Sequence, residues 1–492
     1  MMRRSGILLP VFSLPSRHGI GKMGKAAYEF VDFLKGAEVS CWQVLPLSPT
    51  GYGDSPYQSC CTYAGNPYLI DFDLLAEEGL LVPADYDGLN WGEDSSTIPY
   101  ALLYTQCYEV LRIAFSNAKP DPDFDAFVEA QKDWLEDYAL YMALKFAHGG
   151  KPFTEWGRSL RRRKKEALDQ ARETYKEDIA FHKFIQYQFF KQWYQLKAYA
   201  NEQGISIIGD IPIFTSPDSA DVWANKSMFC LDTKGHPLEV AGVPPDYFAA
   251  EGQLWGNPLY DWKAHKKDSY RWWIERVRHQ LDQVDYVRID HFRGFEAYWA
   301  VPAGEKTAMN GKWKKGPGEE LFRAIEKALG EELPIFAEDL GIITPEVEKL
   351  RDSLGYPGMK VLQFGFDGLG ESSFLPHQLD TRNCICYTGT HDNDTTLGWY
   401  QHTAHQNQDK VRRYMNTDAS SISWDFIRIC LGTIARYAIF PVQDLLNQGS
   451  EHRMNTPGTA AGNWEYRFRA GLLNEGMAKG LRQMTELFGR FG

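Results

Sequence analysis

No apolar run in this chain of 492 residues approaches the ~20 consecutive positions that a membrane-spanning helix requires, so no transmembrane anchor is expected. Cysteine is scarce for the length. Cys41, Cys60, Cys61, Cys107, Cys230, Cys384, Cys386 and Cys430 form no pair of C-x₂-C clusters, and the two closest pairs lack zinc-finger spacing. Reduced, mostly buried thiols are the reading. Positive charge is also in deficit. Lys and Arg number 53 against 65 Asp and Glu, a net charge of −12, which argues against a nucleic-acid surface. The basic run Arg161-Arg-Arg-Lys-Lys165 then reads as a solvated helix face. A signal peptide is not expected either: the run Ile7–Phe12 behind Arg3 and Arg4 is short, is broken by Pro10, and has no small-x-small cleavage site after it. There is no internal repeat and no low-complexity segment. These absences predict a soluble, cytoplasmic protein with neither nucleic acid nor membrane as a partner.

What is present is an alternation of short apolar runs with longer amphipathic stretches, the α/β pattern. Eight runs read as strands: Ile7–Val11, Trp42–Leu47, Ile205–Ile211, Tyr286–Asp290, Ile335–Glu338, Lys360–Phe364, Ile385–Thr388 and Tyr437–Val442. Eight is the number a closed (β/α)₈ barrel requires. Helical text lies between several of them, as in Ala26–Leu34, where Phe30, Val31 and Leu34 recur at helical spacing. The gap from Leu47 to Ile205 is far longer than one crossover needs. Pro83–Gly88 and Lys119–Asp123 mark loops in it, and Tyr100–Phe115 and Trp134–Phe146 read as helices. The expected organisation is a barrel built from 1–70 and 180–492, with 71–179 as a mainly helical insertion.

Gly19-Ile-Gly-Lys-Met-Gly24 matches the dinucleotide-binding pattern G-x-G-x-x-G, but several residues separate it from the preceding strand. The next strand also ends on Leu47-Ser48 instead of an acid that could hold a ribose. Dinucleotide binding is rejected. By contrast, Val243–Asn257 carries Tyr247, Phe248 and Trp255 among Gly and Pro, which suits a mobile loop whose aromatic faces stack on sugar rings.

The chemistry concentrates in three segments, Tyr286-Val-Arg-Ile-Asp-His-Phe-Arg-Gly294, Pro334-Ile-Phe-Ala-Glu-Asp-Leu-Gly341 and Tyr387-Thr-Gly-Thr-His-Asp-Asn-Asp394. Each is a strand-like run that stops on an acid, namely Asp290, Glu338 or Asp392. Carboxylates at the ends of successive strands are how such a barrel builds a catalytic site at its C-terminal face, and two of them suffice to cleave a glycosidic bond. Strand alternation places Arg288 beside Asp290 on one face, where its guanidinium favours the ionised acid. Phe336 shares a face with Glu338, and Asp339 points the other way; an aromatic neighbour and a dry cleft raise a carboxyl pKa, as a general acid requires. From the residues alone either acid can take either role. The tetrad His391-Asp-Asn-Asp394 could instead bind a metal, but hard-cation loops spread their ligands over more positions, and no metal is expected.

With these segments in view, the chain resembles the 4-α-glucanotransferases (amylomaltases, or disproportionating enzymes) of the α-amylase superfamily. The resemblance runs nearly end to end, through Ser48–Gln58, Gly65–Asp71, Gly209–Ile213, Trp255–Pro258, the three acid segments, Asn455-Thr-Pro-Gly458 and Asn463-Trp464. It implies a retaining enzyme without a cofactor, with α-1,4-glucans as donor and acceptor. It also implies that Asp290 is the nucleophile, Glu338 the general acid/base and Asp392 the transition-state stabiliser. Arg288, His291, His391, Asp210, Tyr57, Gln253, Trp255 and Asn463 fall on positions that contact substrate, and Tyr52 on a second, remote glucan site. Cys60-Cys61 departs from the family's pattern there without touching a catalytic motif. Two alternatives stay open: a hydrolase on the same site, and a non-catalytic glucan-binding protein, which the intact acid set argues against.

Overall fold

The computed structural model describes residues 3–51, 53–245, 250–368 and 372–491. Eight parallel strands form one sheet: β1 (Arg4–Leu8), β2 (Cys41–Gln43), β3 (Ser206–Pro212), β4 (Tyr286–Asp290), β5 (Ile335–Ala337), β6 (Gly358–Val361), β7 (Cys384–Tyr387) and β8 (Tyr437–Pro441). Their order around the sheet is β6-β7-β8-β1-β2-β3-β4-β5. The Ala337 N–H donates to the Pro357 carbonyl at 2.9 Å, joining the two ends of that order into a ring. The expected (β/α)₈ barrel is the fold.

Strand alternation divides the core in two. Leu8, Cys41, Ile208, Phe336, Met359, Val361, Ile385, Tyr387, Tyr437 and Ile439 fill the barrel interior. Their sequence neighbours, such as Ile7, Trp42, Ile207, Val287 and Ile335, face the surrounding helices. The runs are apolar throughout because both faces are buried. Asp210, Arg288, Asp290 and Glu338 are the next inward positions toward the C-terminal ends of β3, β4 and β5, so the site continues the interior stack. Asp339 turns outward as alternation requires, pairing with Arg351 and accepting the Met359 N–H at 2.7 Å.

Four expectations need correction. The runs Ile7–Val11 and Trp42–Leu47 are cut short, with β1 ending at Leu8 and β2 at Gln43. The run Lys360–Phe364 is not one strand: β6 ends at Val361 and Leu362–Gly365 is a helical turn. A short buried apolar run carries no period that separates the two. Likewise, Val243–Asn257 is not simply a loop. Gln253–Pro258 is a strand paired antiparallel with Glu239–Val243, which in turn pairs with Ala297–Pro302 and through it with Lys312–Lys315. Gly252 and Gly256 take positive φ there and the register shifts between Val240 and Gly242. Local pattern therefore hides an edge strand of a sheet that reaches on to Lys312–Lys315. Tyr247 and Phe248 lie outside the described residues.

Between β2 and β3 the chain is largely helical, with Tyr100–Asn117, Pro122–Ala130, Lys132–Ala147, Lys165–Thr174 and the long Lys176–Glu202. The last of these docks onto the barrel side: the Trp193 indole N–H donates to the Gln283 carbonyl at 3.0 Å, and Gln192 and Gln186 bond the backbone of Asp71 and Gly65. In the basic run, Arg162, Lys164 and Lys165 are exposed, whereas Arg163 pairs with Asp137 at 2.7 Å and lies 4.3 Å over the Trp223 ring. The glycines of the G-x-G-x-x-G match serve packing. A Cβ on Gly21 would sit 2.0 Å from the Val11 carbonyl oxygen, and one on Gly24 would sit 2.0 Å from an Asp71 carboxylate oxygen. All eight cysteines are free, and only Cys230 is not fully buried. Among the described residues, no helix is long and apolar enough to cross a membrane.

Candidate active site

The site is a relay of polar contacts across the C-terminal mouth of the barrel. At its centre Arg288, almost wholly buried on β4, forks between two acids: one Nη donates to Asp210 Oδ2 at 2.6 Å and the other to Asp290 Oδ1 at 2.9 Å. The register of β3 and β4 sets Asp210 directly opposite Arg288. This buried pairing of one guanidinium with two carboxylates leaves Asp290 partly open to the cleft, at 27% side-chain exposure, while Asp210 is sealed. Burial raises the Asp210 carboxyl, and the guanidinium beside it opposes that shift.

Asp210 Oδ2 also accepts the Tyr57 hydroxyl at 2.8 Å. The same hydroxyl lies 3.0 Å from His391 Nε2, and the two rings stack with centroids 5.4 Å apart. His391 is buried, which lowers its pKa against the pull of Asp392 and so favours the neutral imidazole. Its neighbour Asp392 stands 3.5 Å away and is 44% exposed, facing the cleft. Trp464 closes this side, its ring 5.6 Å from Tyr57 and 5.9 Å from His391.

On the opposite side, Glu338 follows β5 and is buried. Its two carboxylate oxygens accept backbone N–H groups, from His291 at 2.7 Å and from Leu340 at 2.8 Å. Burial, reinforced by the charge of Asp290, raises the Glu338 pKa to about 8, against the pull of Arg288 and the two backbone donors. His291 itself is left-handed at φ 54°, the bend that aims its N–H at Glu338. Its ring meets Trp255 edge-on at 4.8 Å, and Trp255 Nε1 donates to Gln253 Oε1 at 3.2 Å. Gln58 and Thr215 bind Asn257 at 3.0 and 2.8 Å, fixing the Trp255 strand to the barrel loops.

The structure thus brings together Tyr57, Asp210, Gln253, Trp255, Arg288, Asp290, His291, Glu338, His391 and Asp392. Asn463 is different: its amide bonds Thr456 and Thr459 inside its own loop and reaches none of the acids. Tyr52 lies outside the described residues. The His391–Asp394 tetrad does not converge. His391 turns to Tyr57, Asn393 to Thr390, and Asp394 to Ser450. No cluster of three or more metal-ligating side chains exists among the described residues. Asn455 and Arg453 were not singled out as site residues by sequence reasoning, yet both bond Asp392; the only signal was the segment Asn455–Gly458 at the edge of the resemblance.

Two carboxyls at adjacent strand ends, one bonded to an arginine at the cleft and one raised in pKa by burial, are the parts of a glycosidase-type site. Residues 9–473 match the model of the 4-alpha-glucanotransferase family. The chain belongs to that family. It is 49% identical to the 4-alpha-glucanotransferase of Synechocystis, covering 99% of this chain and 98% of the relative. The Thermus thermophilus 4-alpha-glucanotransferase is 48% identical over 98% of each chain. Among solved structures, the amylomaltase from Streptococcus agalactiae in complex with acarbose superposes with a TM-score of 0.97 at 42% identity, covering 100% of both chains. Membership in the 4-alpha-glucanotransferase family makes the chain an enzyme that transfers glycosyl units, and its barrel is that of the family.

Proposed function

We propose that this enzyme cleaves an α-1,4-glucan with retention and passes the released glycosyl unit to the 4-hydroxyl of a second glucan. In the first step the Asp290 carboxylate attacks the anomeric carbon, the bond from that carbon to the leaving 4-oxygen breaks, and the Glu338 proton moves to that oxygen. In the second step the acceptor 4-hydroxyl attacks the same carbon, the ester to Asp290 breaks, and Glu338 takes the hydroxyl proton back. Asp392 holds sugar hydroxyls as positive charge develops on the ring. Tyr57, Gln253, Trp255, His291 and His391 line the substrate side, and the helical segment 71–179 is an insertion on the barrel formed by 1–70 and 180–492.

The observation that carries this assignment is the opposite treatment of the two acids. Arg288 pairs with Asp290 and leaves it open to the cleft, as a nucleophile needs, while burial raises Glu338 to about 8 and stores the proton an acid needs. The acarbose complex of the Streptococcus agalactiae relative supports a glucan-like ligand for this barrel. Incubation with pure maltotriose tests the proposal: glucose and a ladder of longer chains are expected, with reducing ends constant. Steady growth of reducing ends with only glucose and maltose would make the protein a hydrolase.

A further inference from the structure

The segment Asn455–Gly458, which no step of the proposed reaction uses, touches the site at one residue. Asn455 Nδ2 donates to Asp392 Oδ1 at 2.6 Å. Beside it, one guanidinium bridges the two backbones: Arg453 Nη2 donates to the Asp392 carbonyl at 2.7 Å and Arg453 Nε donates to the Asn455 carbonyl at 2.7 Å. Between them Met454 is buried in the core, and its carbonyl accepts the Trp464 N–H at 2.8 Å. That bond closes the loop from Asn455 to Asn463, which the Asn463 amide then ties across its base by bonding Thr456 and Thr459. The loop is therefore held at three places: Arg453, Met454 with Trp464, and Asn463.

An anchored donor aimed at a half-exposed carboxylate has a chemical consequence. Asp392 is 44% exposed, and His391 Nε2 stands 3.5 Å from its Oδ2. A carboxylate with that freedom samples several rotamers, and each loses the geometry a transition state needs. One neutral amide on Oδ1 removes the freedom without neutralising the charge, and leaves Oδ2 and the remaining lone pairs for sugar hydroxyls. We infer that Asn455, held by Arg453, is a positioning residue that orients the Asp392 carboxylate for transition-state contact. The inference rests on the proposed role of Asp392.

The test is a double-mutant cycle on full-length enzyme, with Asn455→Ala, Asp392→Ala and the pair assayed on maltotriose and on α-glucosyl fluoride. Alone, Asn455→Ala should lower kcat by roughly ten- to a hundredfold, the range typical of lost supporting hydrogen bonds, with KM changed less than about twofold. In the Asp392→Ala background the same substitution should change kcat by less than about twofold, since its only route to the reaction is gone. Equal losses in both backgrounds, or no loss in wild type, would overturn the inference. An Asp392→Ala enzyme with wild-type activity would instead overturn the role given to Asp392. Asn455→Asp is the isosteric second variant, should the alanine variant fail to fold. It sets a second carboxyl against Asp392, whose ionisable neighbours include His391, Tyr57 and Arg453. It should lose activity at neutral pH and regain part of it on acidification, when the two carboxyls share one proton. A pH profile parallel to wild type would count against the inference.

Discussion

Glu338 and His291 are joined by a 2.7 Å hydrogen bond from the histidine backbone N–H to the carboxylate, which locks the end of β5 to the end of β4. A second N–H, from Leu340, holds the other oxygen at 2.8 Å. Two such donors favour the charged carboxylate, yet the group sits near pKa 8, because loss of solvent and the neighbouring charge of Asp290 outweigh them. The acid is thus held rigidly in place by bonds that survive when it ionises. That suits a group that gives up a proton in one step and takes it back in the next.

The two acids should separate when an activated donor is supplied. A glycosyl fluoride leaves with little acid help, so Glu338→Gln should accumulate a covalent glycosyl-enzyme on Asp290, whereas Asp290→Asn should accumulate none. Peptide mass spectrometry locates the label. Attachment to any other residue would reverse the assignment.

The raised pKa of Glu338 makes a signed prediction about stability. Folding raises this pKa from 4.5 to about 8, so the native state holds a proton that the unfolded chain releases between those values. The contribution is fully present below pH 4.5 and is lost as pH rises toward 8. Glu338→Gln has no such proton to lose. Its melting temperature relative to wild type should therefore climb from pH 5 to pH 8, by differential scanning calorimetry. Donor cleavage by the wild type should fall above about pH 8, as the protonated acid is depleted. A difference in melting temperature that stays flat across this range would mean that Glu338 is not protonated in the native state.

Arg288→Ala should be the most damaging substitution near the site. It strands the sealed Asp210 and removes the partner of Asp290 at once. Breaking a buried pair of this kind typically costs about 3–5 kcal/mol, which urea denaturation would resolve. Asp210→Asn keeps an acceptor toward Tyr57 and leaves Arg288 its bond to Asp290, so it should cost less. A loss no larger than that of Asp210→Asn would show that solvent reaches the pair.

Trp255→Ala should shift the balance between transfer and hydrolysis. Trp255 packs edge-on against His291 beside the two acids, on a strand pinned through Asn257. Removing the indole loses a stacking contact of roughly 1 kcal/mol and opens a path for water to the glycosyl-enzyme. Water competes with the acceptor only in the second step, so the ratio of hydrolysis to transfer should rise on maltotriose. Proportional loss of both rates would restrict Trp255 to donor binding.

What the sequence determined by itself follows from periodicity and from residue type at chain turns. The eight apolar runs are legible because a strand buried on both faces must be apolar throughout, and the acids stand out beside them: Asp290 and Glu338 close their runs, and Asp392 lies in the polar turn that follows β7. Alternation even assigns directions: Arg288 and Asp290 inward together, Glu338 inward, Asp339 outward. What only the tertiary structure decided is pairing across distance. The strand Gln253–Pro258 exists because Glu239–Val243 pairs with it and is itself backed by Ala297–Pro302. The grip of Asn455 on Asp392 joins residues 63 positions apart, and the separation of the Glu338 pKa from that of an ordinary carboxyl comes from burial, a property of everything packed around it. Periodicity is written locally and can be read locally, whereas hydrogen-bond partners and desolvation are set by the closed barrel, which exists only once the whole chain has folded.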